Sequence, residues 1–326
     1  MSQPTTEVPA RTPRPSGTRW PILVSFALML SGCSSAAAID VPAVTSSHSS
    51  SATTSLTTSY TSATALPNVV KPAPLTPPSG LGFSPTSTGI STATVDGGAV
   101  TLMWMDPQKL KFRFIPGYKW PEHSPTIKSD HAPSTWTSTM LAAFNGGFKL
   151  SDNVGGYYYH GHTVANLRGG LGAFEVLKDG TLKVGVWGRD LTLTPQTVAV
   201  RENLPPIVAS GKSRTSPSDN VGTWGLALHH LWHVNRSALG ERSDGSLIFE
   251  FGHHITPTTI AHYLVEAGVR DAVMLDMNET WPTGFIYRHN SSGIHGKRIN
   301  PAIVKGPDLY LQRADKDFVV VSARQK

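Results

Sequence analysis

Cysteine is all but missing from this chain: Cys33 is the one thiol in 326 residues. A disulfide framework is therefore excluded, and the fold must be held by its own core. Long apolar runs are missing as well. The apolar stretch at residues 22–30 falls far short of the roughly 20 residues that a membrane-crossing helix needs. Charge is sparse at 15%, with 28 basic against 22 acidic residues and a net charge of +6. The basic residues form no stripe interleaved with aromatics, which argues against a nucleic-acid partner. A mild positive balance suits an anionic glycan or a phosphate ester. There is no His-Glu-x-x-His, and the histidine segments lack a Cys ligand. No metal and no cofactor is expected.

What is present at the start is an export signal. Arg11, Arg14 and Arg19 make a basic region, residues 22–30 a short apolar core, and Leu30-Ser31-Gly32-Cys33 follows. The arrangement reads as a signal peptide, and the last four residues resemble the lipobox of bacterial lipoproteins. Residues 1–32 are expected to be removed and Cys33 to be lipidated, with enough acyl chain for stable anchoring to the membrane. An ordinary secretory signal with an incidental Cys, or an uncleaved anchor, is the alternative. Either way the protein is expected in the bacterial cell envelope, lipid-anchored on the outer face of the membrane, or secreted.

Residues 33–80 are dominated by Ser, Thr, Ala and Pro, with no period of 2 or 3.6. Such a segment buries too little apolar surface to offset its ordering entropy and reads as a tether. Residues 81–326 are left as one domain of roughly 240 residues, at the large end for a single core.

Within that domain the pattern alternates strands with a few helices. Residues 99–104 and 111–115 read as strands joined at Asp106-Pro107. Residues 134–140 read as a short helix and 141–144 as a buried strand. A hairpin is expected around Lys178-Asp179-Gly180 and another around Asp244-Gly245, with residues 224–234 and 247–251 as the arms of the latter. Thr256 can cap a helix with Pro257 at its first position, Ile260, Leu264 and Val265 on its apolar stripe and Gly268 just past its end. Residues 272–275 then form a strand that delivers Asp276 to its end. Hairpins with few helices predict an α+β fold, a single domain of mixed or antiparallel sheet with a few packed helices.

Four segments stand in a fixed order: Asn145-Gly146-Gly147-Phe148, Ile207-Val208-Ala209-Ser210-Gly211-Lys212, Asn235-Arg236-Ser237-Ala238-Leu239-Gly240 and Met274-Leu275-Asp276. Together they resemble the phosphodiester glycosidase family, whose members read A-x-N-G-G-F-F, L-V-x-x-G-K, R-T-A-I-G and L-D-G-G-G-S. The resemblance covers residues 94–287 and departs after Asp276, where Met277-Asn278-Glu279-Thr280-Trp281 replaces the Gly-rich run. It implies a glycosidase acting on a sugar joined through its anomeric carbon to phosphate.

The residues fit that chemistry. Glycoside cleavage passes through an oxocarbenium-like transition state and usually employs two carboxyl groups. Asp276 is the first candidate, as acid/base or nucleophile, because a carboxylate at the end of a buried strand is costly unless used or paired. Glu279 is a candidate second carboxyl. Arg236 offers a planar fork for phosphate. Asn145, Gly146 and Gly147 can hydrogen-bond sugar hydroxyls or phosphate oxygens, since Gly admits close backbone approach. Lys212, His253 and Tyr159 complete the candidate substrate contacts.

Plainer readings stand beside each. Arg236 and Asp276 would make a structural ion pair, Asn145-Gly146-Gly147 a turn, Lys212 a solvated loop residue. His229 and His233 would share a metal on a helix but lie roughly 13 Å apart on a strand. Tyr157, Tyr158, Tyr159, His160 and His162 suit a core as well as a sugar platform. The expected function is a surface-anchored hydrolase of a sugar-1-phosphodiester or related envelope glycan. The alternatives are a non-catalytic glycan-binding lipoprotein and a glycosidase acting on a phosphate-free glycan.

Overall fold

The computed structural model describes residues 73–324 except Pro85, residues 120–129, Pro217, Val221 and residues 226–230. The signal peptide, Cys33 and nearly all of the expected tether lie outside the described residues, as do His229 and His230.

Three antiparallel sheets make up the domain. The first has seven strands, in the order Ile90–Val95, Val100–Met105, Leu247–Ile255, Val234–Arg242, Val269–Met277, Val208–Ala209 and Lys212–Ser213. The second has five, in the order Gly293–Arg298, Gly284–Asn290, Met140–Asn145, Phe318–Ala323 and Leu110–Ile115. The third has five, in the order His162–Ala165, Tyr157–Tyr159, Thr197–Glu202, Gly172–Leu177 and Leu182–Val186.

This corrects the α+β expectation: the chain is β-rich. The described residues hold two α-helices, a single turn at Ser134–Thr137 and the ten-residue Pro257–Glu266. The segment at 134–140 fails as a longer helix because strand Met140–Asn145 begins almost at once and buries its residues on both faces. The strands also explain the misreading. Leu102 and Trp104 face one core, Met103 and Met105 the other. With both faces covered, period 2 disappears and an apolar run carries no direction.

The larger core fills the space between the sheets. Phe249 and Val273 come from the first, Phe144 and Val319 from the second, Phe174 and Val184 from the third. The rings of Phe144 and Phe249 stack at 4.8 Å. Burying such a ring contributes about 1.5–3 kcal/mol, and the pairing about 0.5–1.5 kcal/mol more.

The smaller core lies between the outer face of the seven-stranded sheet and helix Pro257–Glu266, which buries Pro257, Ile260, Ala261 and Leu264. The helix begins as its sequence requires: Thr259 N–H donates to Thr256 Oγ1 at 3.1 Å, and Gly268 takes φ +74° beyond its end. Glu250 lies beneath it, opposite Ala238 and Leu102 in register and without a hydrogen-bond partner for either carboxyl oxygen among the described residues.

The strand expected at 224–234 begins instead at Val234 and runs to Arg242. Trp224 is held in a turn, its indole N–H donating to Asp219 Oδ2 at 2.6 Å. The hairpin at Lys178-Asp179-Gly180 forms, and Phe112 N–H donates to Gly180 O at 2.7 Å, covering edge strand Leu110–Ile115.

Candidate functional site

Asp276 is delivered by strand Val269–Met277, and a β-bulge decides where it points. Ser237 pairs with Asp276 and Ala238 with Met274, so Leu275 is the extra residue. Met274 and Met277 pack in the helix-side core, whereas Leu275 packs in the larger core. The bulge therefore turns Asp276 to the same side as Leu275.

There it meets Lys316, whose Nζ forms a buried ion pair with Asp276 Oδ2. The other oxygen, Oδ1, accepts from Met277 N–H at 2.7 Å and Asn278 Nδ2 at 3.4 Å. Asp276 is 2% exposed. Lys316 stands two residues before strand Phe318–Ala323, and its Nζ lies 5.3 Å from the centre of the Trp281 ring. Lys305 approaches the same ring at 5.0 Å.

Asn145 belongs to the same place. It ends strand Met140–Asn145 and lines a small cavity with Trp281, Leu309, Tyr310, Ala314 and Lys316. That cavity holds about 10 Å³, room for a single water. The Asn145 side chain accepts from Thr283 N–H at 2.9 Å and donates to Gly146 O at 2.9 Å. Burial pushes the Tyr310 hydroxyl far above its ordinary range, so it stays protonated; it shares a 2.6 Å hydrogen bond with Thr283 Oγ1.

Gly146 and Gly147 rest on a buried polar network. Gly147 N–H donates to Asp317 Oδ2 at 3.2 Å, and Arg201 Nε donates to the same oxygen at 2.8 Å. Arg201 also donates to Phe148 O, and Phe148 N–H donates to Asn203 Oδ1 at 3.0 Å. A Cβ on Gly146 would sit 2.6 Å from Asp317 Oδ2, and one on Gly147 2.7 Å from Arg201 Nη2. Neither glycine has positive φ, so close approach rather than turn geometry requires them. Loss of hydration raises the Asp317 pKa above the usual carboxylate value, with Arg201 and Lys316 opposing.

A third carboxyl stands nearby. Asp152 follows the Gly-Gly segment, and its pKa is raised first by desolvation and then by the negative charge of Asp276.

Arg236 is elsewhere. It is fully buried on the helix-side face, opposite Met277 in register. Its Nε donates to Ile255 O at 3.1 Å, Nη2 to Trp232 O at 3.0 Å and Nη1 to Trp224 O at 3.4 Å. It forms no ion pair with Asp276, and burial lowers its pKa to about 10. Glu279 is exposed, 3.1 Å from His254 Nε2. His253 Nδ1 lies 2.9 Å from Asn235 Oδ1. Lys212 is exposed and lines a separate surface groove with Arg214 and Trp224. Tyr159 is a core residue, edge-on to Phe114 at 5.9 Å. Among the described residues no three His, Asp or Glu side chains gather as metal ligands, and no helix is long and apolar enough to cross a membrane.

The structure thus brings together Asn145, Gly146, Gly147 and Asp276, and adds Lys316, Asp317, Arg201, Asn203 and Asp152, which sequence reasoning missed. One signal was available. Asp315-Lys316-Asp317 abuts the apolar run Phe318-Val319-Val320-Val321, where charge must be paired to be buried.

No protein-family model and no curated protein sequence matches the chain. Among solved structures it is similar to the zebrafish N-acetylglucosamine-1-phosphodiester alpha-N-acetylglucosaminidase catalytic domain auto-inhibited by its pro-peptide. That likeness has 17% identity, covers 73% of this chain and 82% of that one, and has a TM-score of 0.42. A hypothetical protein from Synechocystis is similar at 11% identity, over 74% of this chain and 61% of that one, with a TM-score of 0.37. A putative exported protein from Burkholderia pseudomallei K96243 is similar at 11% identity, over 74% and 75%, with a TM-score of 0.30.

Proposed function

We propose that the protein is an envelope hydrolase that cleaves a glycan at the anomeric carbon, with a sugar-1-phosphodiester as the preferred linkage. The observation that carries this is the bulge at Leu275, which takes Asp276 out of the pattern of its strand and sets it against Lys316. Bulges re-aim side chains beside active sites. Asp276 is the base or nucleophile, held in place by its ion pair with Lys316. Asp152, whose pKa is raised, is the proton donor, in the manner of glycosidase carboxyl pairs that occupy unlike environments. Asn145 and the glycine segment orient the sugar, and Trp281 is its platform. The substrate displaces Trp281 or binds across it, because the cavity behind it is too small for a sugar. Cys33 anchors the protein to the membrane through acyl chains.

A second reading has its own support. Asp276 is nearly inaccessible and fully paired, as a structural ion pair would be. On that reading the protein binds an envelope glycan without cleaving it. One experiment separates the two: hydrolysis of a panel of aryl glycosides and sugar-1-phosphodiesters, run beside glycan binding. Turnover that disappears in Asp276→Asn supports the hydrolase. Binding without turnover supports the second reading.

A further inference from the structure

Edge strand Leu110–Ile115, the neighbour of Phe318–Ala323 in the second sheet, lines a groove of about 360 Å³. Lys111 and Arg113 alternate with the buried Leu110, Phe112 and Phe114, so both project from one side of the strand. Two residues apart on a strand, they stand roughly 6.6 Å from one another along it. Both sit over one ring: Lys111 Nζ lies 4.9 Å, and the Arg113 guanidinium 5.7 Å, from the centre of Trp136. Such contacts hold cations in place without neutralising them.

The opposite wall is the turn Lys178-Asp179-Gly180, fixed by the bond from Phe112 N–H to Gly180 O. Lys178 adds a third cation. Among the described residues, Lys111, Arg113 and Lys178 make no ion pair. The only acid in the wall, Asp179, has both oxygens occupied by Thr181, accepting from its N–H and its hydroxyl at 2.8 Å each. His160 completes the lining, and its pKa is lowered first by lost hydration and then by the positive charge of Arg113.

We propose that this groove is a second binding site, distinct from the Asp276 site, for an acidic polysaccharide. Three cations lining one open groove suit the repeated charges of a polymer. Among the described residues their charges are not spent in ion pairs, so anion binding gains what ion pairing elsewhere would have used.

The test uses the full chain with Cys33→Ser, so that no acyl group contributes, and measures binding to polygalacturonate against neutral dextran over a range of salt. The triple variant Lys111→Gln/Arg113→Gln/Lys178→Gln should weaken polygalacturonate binding about tenfold or more. It should also flatten the slope of log K against log salt by about two, given a contribution of about 0.7 per contact. A control variant, Lys183→Gln/Arg214→Gln/Lys297→Gln, removes the same charge elsewhere and should leave binding nearly intact. Equal losses in both variants would mean that net charge, not the groove, binds the polymer. Unchanged binding in the triple variant would overturn the proposal. So would a loss confined to phosphatidylglycerol vesicles, or competition by millimolar inorganic phosphate alone. Thermal unfolding of both variants keeps a folding defect from being read as a binding defect.

Discussion

Arg236 and Asp276 belong to neighbouring hydrogen-bonded strands, yet their side chains leave opposite faces of the sheet. The cause is the single extra residue Leu275, and the consequence is that Arg236 is turned away from Asp276. Its hydrogen bonds run to three backbone carbonyls and to the sulfurs of Met274 and Met277. Arg236→Met should therefore lower the melting temperature while leaving kcat/KM per folded molecule within about threefold. A collapse of kcat/KM with an unchanged melting temperature would return Arg236 to the chemistry.

Asp276 and Lys316 behave as a unit. Asp276→Asn should abolish turnover and also leave a buried cation uncompensated, at a cost of about 3–5 kcal/mol. The double variant Asp276→Asn/Lys316→Gln should regain most of that stability and none of the activity. Urea unfolding and turnover, measured on the same preparations, separate the two effects. Activity restored by the second substitution would remove Asp276 from catalysis.

The glycine cradle makes a structural demand that differs from a turn. Gly146→Ala and Gly147→Ala should each cost at least about 1–3 kcal/mol, because the new Cβ drives into Asp317 or Arg201 rather than into strained φ. Near-neutral values in denaturant titrations would mean that the loop has room to move.

Glu250 gives a pH signature. Its folded-state pKa is raised well above 4.5 by burial. The folded state keeps the proton that the unfolded chain releases, so this contribution is complete below the unfolded pKa and shrinks as pH rises toward the folded one. The decline is about 1.4 kcal/mol per pH unit for one proton. Other raised carboxyls, Asp317 and Glu241 among them, add slopes of the same sign. Glu250→Gln should therefore flatten the fall in stability between pH 5 and 8 without erasing it. Parallel curves for variant and parent would rule out Glu250 as a contributor.

Anchoring is tested separately. Cys33→Ser should shift the protein from the detergent phase to the aqueous phase, or leave the precursor unprocessed; unchanged partitioning would reject lipidation.

What could be read in the chain followed the range of the interactions. Helix Pro257–Glu266 was legible to its caps, because Thr256, Pro257 and Gly268 act within one turn. The end of a buried strand at Asp276 was legible from Val273, Met274 and Leu275. Its partner was not, because Lys316 is 40 residues away and the charge run that contains it signals burial without naming a partner. Arg201 and Asp317 are 116 residues apart, and their pairing is likewise invisible to any window. The bulge was hidden for a different reason: with both faces of the strand buried, one extra apolar residue breaks no pattern. The same loss of alternation turned the β-rich architecture into an α+β expectation.

Strand Phe318–Ala323 lies between Met140–Asn145 and Leu110–Ile115. It is the last of the described strands to be synthesised, and it takes a middle place in its sheet. Lys316 and Asp317 ride just ahead of it. The cradle under Gly147 and the partner of Asp276 are therefore missing from any nascent chain that has not yet delivered this strand. Pairings this distant in sequence close slowly. The surroundings of Asp276 and Gly147 are thus completed only in the final step of folding.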